Sequence, residues 1–381
     1  MDPAAPGPMT ATESIIAHNR GRDPALLAIK WEKMRGSAFG FFRGTAHLFY
    51  GIWAKLSPGG SPRAWICGDA HPENLGSYRG ENHVPYFDLN DFDECCLAPV
   101  DWEVGRALAA IHVLKKPDLA RLFLRAYAAT LRGGKPGHIE PEVAQGPVAK
   151  LLDKVQRRSR REFLDKWTAH GRLRIRPGHS FALDGAARAR ARRTFESWAR
   201  RQADPGFYRV IDVCGRIAGN GSLGLERYIL LVSGGKLPFI LDMKEAAPAA
   251  PLAVLRAGQP AWPSEAERVA TVQHFMQYVP IARLSWIGTA PVSYIVHGLQ
   301  PADDRIAVDD LSEAENEDFV RQWAGLVASA HLRSGGWMGS VDLDELIDFG
   351  RSLDGGAQRR LLSAARDAAA DLRRAWSEFR K

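Results

Sequence analysis

Gly68-Asp69-Ala70-His71-Pro72-Glu73-Asn74 is the stretch that decides the fold, because its polar side chains directly follow a short apolar run, Ala64 to Cys67. The run predicts a strand that leads into a loop. An aspartate in such a loop can orient or accept the proton of an attacking hydroxyl. An asparagine five residues later can hold a metal ion that bridges phosphates. We therefore predict Asp69 as the catalytic residue and Asn74 as a metal ligand.

The residues after this loop offer the carboxylates that a metal site needs. Two apolar segments, Leu75 to Tyr78 and Val84 to Leu89, are separated by a polar turn and predict a hairpin. Alternation along its second strand would place Asp91 and Asp93 on one face and Asp88 on the other. Asp91 is the first choice as the metal ligand and Asp88 the second. The alternative is that these residues only form turns and caps, which Asp and Asn favour.

A glycine-rich segment, Gly219-Asn220-Gly221-Ser222-Leu223-Gly224, lies more than a hundred residues later. A dinucleotide-binding loop would open a helix, but the sequence that follows is β-like. The segment instead favours a hairpin whose backbone amides approach phosphate because no side chains intervene. We predict Gly219, Gly221, Ser222 and Gly224 as nucleotide-binding residues.

Lys244 ends the third of three consecutive strand-like segments, 25 residues after Gly219. Its ammonium could reach the phosphates of a nucleotide. Such a lysine needs a carboxylate to fix it, and the helix predicted to begin at Ser264 offers Glu267, which we prefer, or Glu265. An ordinary hairpin that carries a surface lysine is the alternative.

The Gly68 to Asn74 segment resembles the catalytic loop of aminoglycoside phosphotransferases and related kinase-like enzymes, and Asp91-Phe92 resembles their metal-binding dipeptide. Asp101 resembles the aspartate that braces that loop. The resemblance implies a two-lobed α+β fold with an antiparallel-sheet nucleotide lobe and a helical lobe. It also implies ATP and Mg²⁺ as cofactors and a hydroxyl-bearing acceptor that the sequence does not identify.

A closer resemblance, over most of the chain, is to the uncharacterised bacterial family DUF2252. The segments that carry it are Phe42-Arg43-Gly44, Gly68 to Gly76, Asp91 to Glu94, Lys244-Glu245-Ala246 and His331 to Gly335.

The order of the motifs is the reverse of that in kinase-like enzymes, where the glycine loop and lysine come first. We therefore expect a circular permutation, with the break between the helix ending near His331 and the strand before Gly68. The expected organisation is a disordered segment at 1–24, a helical lobe at 25–205, an ATP-binding lobe at 206–300 and a helical segment at 301–381 that completes the first lobe. Leu299 would lie at the adenine-binding hinge.

Charge and composition limit the partners. The net charge is +7, and residues 150–201 contain 16 Lys or Arg against 5 Asp or Glu. This basic region is either a solvated helical face or a site for an acidic partner. The absence of an aromatic stacking motif or zinc finger makes nucleic acid an unfavoured partner. No apolar run is long enough for a membrane span, so we expect a cytoplasmic protein whose four cysteines are buried thiols.

Two other functions fit parts of the sequence. Asp69, His71 and Asp88 could form the first ligand set of a binuclear metal-dependent phosphoesterase, although that hypothesis leaves the glycine loop unexplained. The chain could also be a non-catalytic, nucleotide-binding regulator. Arg43 is either a phosphate ligand or a helix anchor that pairs with a carboxylate.

Overall fold

A computed structural model describes residues 9–381. The helices α1 to α13 span, in order, Ala11–His18, Pro24–Gly36, Ala38–Gly44, Ala46–Leu56, Val100–Val113, Pro117–Gly133, Gly146–Gln156, Arg160–Trp167, Gly185–Ala199, Glu265–Met276, Glu313–Ser334, Leu343–Ser352 and Gly355–Phe379. The strands β1 to β12 span Arg63–Ile66, Leu75–Arg79, Pro85–Leu89, Cys96–Pro99, Thr168–Ala169, Arg172–Leu173, Ser180–Phe181, Val210–Arg216, Arg227–Val232, Phe239–Glu245, Ser285–Thr289 and Val292–Leu299. The predicted α+β class is confirmed.

The largest sheet is antiparallel and has six strands in the order β11-β12-β10-β9-β8-β7. Its central strands are rich in β-branched and aromatic residues, and both faces are covered. Lys244 on β10 pairs with Arg227 on β9 and Ile295 on β12. The lysine therefore lies in the middle of the sheet, near one end of its strand.

Two helices expected in the helical lobe pack on the sheet instead. One sheet face contacts Ala191, Phe195 and Ala199 of α9, and the other contacts Leu164 and Trp167 of α8. The expected lobe boundary between residues 205 and 206 therefore does not separate the two cores. Helical composition predicts that these residues form helices but not which surface they cover, because a single apolar stripe can bury against either lobe.

The second lobe is built mainly of helices around one large aromatic and aliphatic core. Gly105 on α5 shows how closely the helices pack, because a Cβ atom there would lie 2.2 Å from the ring of Trp53 on α4. The helical segment after residue 301 belongs to the same core. This packing places the start of α5 beside the loop that follows β1.

The end of α11 lies beside β1, although more than two hundred residues separate them. Trp65 Nε1 donates a hydrogen bond to the carbonyl of Trp337 at 3.2 Å. The amide of Val341 donates to the carbonyl of Arg63 at 2.9 Å. The two chain segments on either side of the predicted break are therefore neighbours in space.

The N-terminal prediction needs a correction. Its first part, residues 1–8, lies outside the described residues, but the rest is not disordered. Thr10 and Glu13 form a reciprocal capping box that begins α1, and Ile15 is buried. The Pro, Ala and Gly content before Thr10 concealed this local signal.

The four cysteines, Cys67, Cys95, Cys96 and Cys214, are free and buried, which confirms that prediction. Within residues 9–381, no helix combines the length and apolar character needed to cross a membrane.

Candidate functional site

A cleft of about 1650 Å³ contains residues from both distant motifs. Asp69, Asn74, Asp91 and Asp93 line it on the side of the helical lobe, and the Gly219 to Gly224 segment lines it on the side of the sheet. These groups are far apart in the sequence. The fold thus brings together most of the residues that were predicted to act together.

Asp69 is held by two partners inside the cleft. Arg106 reaches its Oδ1 atom through Nε at 2.9 Å and Nη2 at 2.8 Å, and His71 Nε2 lies 3.4 Å from Oδ2. Burial acts to raise the pKa of Asp69, but the positive charge of Arg106, with His71, outweighs it and holds that pKa below its usual range. The carboxylate is therefore ionised at neutral pH, with Oδ2 less firmly engaged than Oδ1.

The backbone before Asp69 requires a glycine. Gly68 has φ of +81°, and a Cβ atom there would lie 2.0 Å from the carbonyl oxygen of Glu94. The buried hydroxyl of Tyr50 on α4 donates a hydrogen bond of 2.6 Å to the carbonyl of Gly68. The turn that presents Asp69 is therefore fixed by close packing.

A buried chain of hydrogen bonds braces this loop from behind. Glu103 accepts from the amide of Gly68 at 3.1 Å and from the thiol of Cys67 at 2.5 Å. His331 Nε2 donates to the other oxygen of Glu103 at 2.7 Å, and His331 Nδ1 lies 2.8 Å from the hydroxyl of Tyr127. In the tautomer that donates from Nε2 to the carboxylate, Nδ1 accepts a hydrogen bond from the Tyr127 hydroxyl. The loop is thus tied to α5, α6 and α11.

This network corrects one prediction. Asp101, expected to brace the loop, instead accepts hydrogen bonds from Trp53, Ser57 and Ser61 at the start of α5. The brace is Glu103, which lies farther along the same helix. His331 supplies the other half of the brace.

Lys244 lies directly against the predicted metal carboxylates. Its Nζ atom is 2.5 Å from Asp93 Oδ2 and 3.5 Å from Asp91 Oδ1. Burial acts to lower the pKa of Lys244, but Asp91 and Asp93 outweigh it and raise that pKa. Although β3 ends at Leu89, before these residues, both carboxylates still face the same cation.

The donor set fits a hard cation that has few protein ligands. Asn74 Nδ2 donates to the carbonyl of Asp69 at 2.9 Å, which leaves the amide oxygen of Asn74 as an acceptor. Among residues 9–381, no group of three or more His, Cys, Asp or Glu side chains could hold a metal. Mg²⁺ suits such a site, because it is commonly held by one or two carboxylates with water and substrate phosphates completing its shell.

Asp88, the second choice as the metal ligand, is not in the cleft. It is buried, and it accepts from the amides of Leu89 at 2.9 Å and Tyr278 at 3.2 Å and from Arg333 at 3.3 Å. Burial raises the pKa of Asp88. Strand alternation correctly separated Asp88 from Asp91, and the structure gives Asp88 a packing role. The phosphoesterase ligand set of Asp69, His71 and Asp88 is therefore not assembled.

The carboxylates predicted to fix Lys244 are used elsewhere. Glu265 pairs with Arg268 at 2.7 Å. Glu267 is in the first turn of α10, where its amide donates to Ser264 Oγ at 3.1 Å, and its carboxylate forms no ion pair with Lys244. The helix and its Ser264 cap are as predicted, but the lysine's partners are Asp91 and Asp93.

Leu299 lies away from the cleft. It packs with Ile229, Leu231 and Ile240 beneath α8. The backbone around it is already engaged, since the amide of Gly298 donates to Ala282 at 2.9 Å and that of Gln300 to Asp303 at 3.2 Å. The expected hydrogen bonds to adenine at this hinge are therefore not available.

The glycine segment is docked on the N-terminal helices. Gly219 and Gly224 have φ of +74° and +96°, which other residues rarely adopt. The carbonyl of Gly221 accepts from Arg22 Nη1 and from Lys30 Nζ, each at 2.7 Å. The sequence did not reveal these two contacts, because 199 and 191 residues separate the cations from Gly221 and no local motif marks them.

Charged residues also lie on the cleft-side face of the sheet. Asp242, two residues before Lys244 on β10, is fully buried and bonded to Arg216, Arg227 and His297. The positive charge of the two arginines holds the pKa of Asp242 well below its usual range, against the effect of burial. Side chains two residues apart on a strand lie on the same face, so the position of Asp242 relative to Lys244 was the sequence signal that could have revealed this cluster.

Much of the basic region 150–201 is paired within the chain. Ion pairs join Arg158 to Asp304, Arg188 to Asp212, and Arg190 to Glu226. Arg43 forms an ion pair with Glu73 at 2.7 Å, as the anchoring hypothesis expects.

A family model described as "Uncharacterized protein conserved in bacteria (DUF2252)" matches residues 22–381. No curated protein and no solved structure shows significant similarity to the chain. The matched residues include both the loop that carries Asp69 and the strand that carries Lys244. The chain therefore belongs to the DUF2252 family.

Proposed function

We propose that the protein is an ATP- and Mg²⁺-dependent phosphotransferase with a two-lobed, circularly permuted kinase-like fold. The observation that carries the proposal is the contact of Lys244 with Asp91 and Asp93 in a cleft that also contains Asp69 and Asn74. These are the residue types that phosphoryl transfer requires, since its catalysis consists mainly of positioning and charge neutralisation. The acceptor is a hydroxyl group on an unidentified molecule.

The arrangement of the elements also supports a kinase-like lobe. The glycine segment connects β8 to β9, Lys244 is on the next strand, β10, and α10 follows it. A kinase carries its glycine loop and lysine in this sequence, with the lysine on the third strand. The proximity of α11 and β1 supports the permutation, because the catalytic loop could follow α11 directly if the chain were joined there.

In this mechanism, Asp91, Asp93 and the amide oxygen of Asn74 would hold Mg²⁺, which would neutralise charge on the nucleotide phosphates. Lys244 would bind those phosphates, and the Gly219 to Gly224 segment would cover them. Asp69 Oδ2 would accept a hydrogen bond from the acceptor hydroxyl. As the acceptor oxygen bonds to phosphorus, the bond to ADP breaks, its electron pair leaves with ADP, and Asp69 takes the proton.

Nucleotide-dependent thermal stabilisation tests the assignment. We expect Mg-ATP to raise the melting temperature of the wild type and of Lys236→Ala, a control on an exposed residue of the β9–β10 turn. Lys244→Ala and Asp91→Ala should lose most of the shift, because the first removes a cation that would bind the phosphates and the second removes a ligand that would hold Mg²⁺. Equal shifts in all four proteins would refute the ATP site.

The phosphoesterase alternative has a distinct outcome. Manganese-dependent hydrolysis of p-nitrophenyl phosphate that survives Lys244→Ala and is lost in His71→Ala would favour it. His71 is 2% exposed and its Nδ1 atom is buried without a partner, so it offers little access to a metal in this arrangement.

A further inference from the structure

Arg22 differs from three other cations in or beside the cleft. Arg43 pairs with Glu73, Arg106 with Asp69, and Lys244 with Asp91 and Asp93. Within the described part of the chain, Arg22 forms no ion pair. Its Nη1 atom donates only to backbone carbonyls of the glycine segment, to Gly221 at 2.7 Å and to Leu223 at 3.2 Å. Its charge is therefore not neutralised by any direct carboxylate contact.

The glycine segment leaves room for Arg22 to pack against it. Gly224 has φ of +96°, and a Cβ atom there would lie 2.7 Å from Cβ and 3.3 Å from Cδ of Arg22. The amide of the next residue, Asp23, donates to the carbonyl of Gly224 at 2.9 Å. The absence of a side chain at Gly224 thus allows the arginine to lie against the loop.

Arg22 lines the same cleft as Asp69, Asn74, Asp91 and Asp93. Burial lowers the pKa of Arg22, while the carboxylates of Glu94, Asp93 and Glu245 act in the opposite direction. Arginine keeps its charge in proteins. A fixed positive charge therefore lies against the loop that would cover the phosphates, in the cleft that also contains the carboxylates that would hold the metal.

We propose that Arg22 is a catalytic residue that contacts the transferred phosphoryl group and neutralises the charge that develops on it. The inference rests on the proposed phosphotransferase function and extends it. Arg22 forms no covalent bond: phosphorus exchanges its bond to ADP for a bond to the acceptor oxygen, and the proton goes to Asp69. An arginine that plays this part is worth roughly 10³–10⁵-fold in rate, whether it comes from the same chain or a partner.

Lys30 provides a control that separates this role from simple anchoring of the loop. Its Nζ atom donates to the same carbonyl of Gly221 at 2.7 Å and to Asn19 at 2.8 Å. Lys30 is fully buried and does not line the cleft. Lys30→Met therefore removes an anchor without removing a cleft charge. Arg20→Ala removes an exposed cationic side chain at the edge of the same cleft.

The experiment compares stabilisation by Mg-ADP with stabilisation by Mg-ADP plus fluoroaluminate, which mimics the phosphoryl group in transfer. Wild type and Arg20→Ala should gain an additional shift in melting temperature from fluoroaluminate. Lys30→Met should lose part of the Mg-ADP shift but keep the increment. Arg22→Ala should lose the increment, and Arg22→Lys should lose most of it, because an ammonium cannot make the forked contact. The rate at which the protein slowly hydrolyses Mg-ATP should be roughly 10³-fold lower in Arg22→Ala than in wild type.

Retention of the increment in both Arg22 variants would overturn the inference while leaving the ATP site intact. Loss of the increment in Lys30→Met to the same extent as in Arg22→Ala would overturn it too, because anchoring would then explain both. If wild type itself gained no stability from Mg-ADP, the proposed function would fail and the role of Arg22 with it.

Discussion

His331→Phe removes the imidazole from the brace behind the loop that carries Asp69. In the wild type, His331 Nε2 donates to Glu103 at 2.7 Å, and both side chains are fully buried. The substitution leaves the Glu103 carboxylate with the amide of Gly68 and the thiol of Cys67, and it leaves the Tyr127 hydroxyl without its acceptor. A buried polar group left without its partner costs about 1–3 kcal/mol, and a charged one costs more, so losing both contacts should destabilise the fold by at least about 2 kcal/mol.

Tyr127→Phe is the matched control, because it removes only the outer hydrogen bond, of 2.8 Å, to His331 Nδ1. An unsatisfied buried polar group of this kind costs about 1–3 kcal/mol. We therefore expect two graded losses of stability, with the histidine variant the worse. Urea denaturation followed by tryptophan fluorescence measures both, with the variants compared at the same pH and salt.

The reasoning would be refuted if His331→Phe lost less than about 1 kcal/mol, or if the two variants lost the same amount. In the first case, Glu103 would not depend on His331 for compensation. In the second, the hydroxyl of Tyr127 would be the main contributor, and the brace would not be centred on the carboxylate.

Three further predictions follow from other contacts. Gly224→Ala should cost roughly 1–3 kcal/mol, because φ is +96° and the new Cβ would overlap Arg22, and it should lower the Mg-ADP shift in a thermal melt. Asp88→Asn should destabilise the fold by about 1–3 kcal/mol, because Arg333 loses its charged partner, yet keep the Mg-ADP shift; loss of the shift would restore Asp88 as a metal ligand. Burial, with Arg22 and Lys30, lowers the pKa of His18 from 6.5 to about 4, so its contribution to stability is complete above pH 6.5 and is lost as pH falls through about 4. His18→Phe keeps the stack on His47, with ring centroids 4.0 Å apart, and should weaken this acid dependence of urea midpoints; an unchanged slope would exclude His18 as a source.

Local patterns predicted the elements that carry the site. The strand before Gly68, the hairpin after Asn74, and the helix capped by Ser264 are present, because each is defined by turn residues, caps and apolar periodicity within about ten residues. The kinase-like roles assigned to Asp69, Asn74, Asp91 and Lys244 also implied that these residues form one site, and the structure brings them together.

Contacts that depend on packing could not be predicted in the same way. Asp101 and Glu103 are two residues apart on α5, and the packing of α5 beside β1 and α11 decides which of them reaches Gly68. Glu267 was a reasonable partner for Lys244, but the loop after β3 fills that place with Asp91 and Asp93. Leu299 is covered because α8 packs on the sheet, which no local pattern specifies.

The brace between Glu103 and His331 spans 228 residues and therefore has a consequence for synthesis of the chain. A ribosome that adds about 5–20 residues per second needs roughly 10–45 s to pass from one to the other. During that interval the loop that carries Asp69 has already been made but lacks His331. The nascent protein thus cannot complete the brace behind Asp69 until most of its length has been translated.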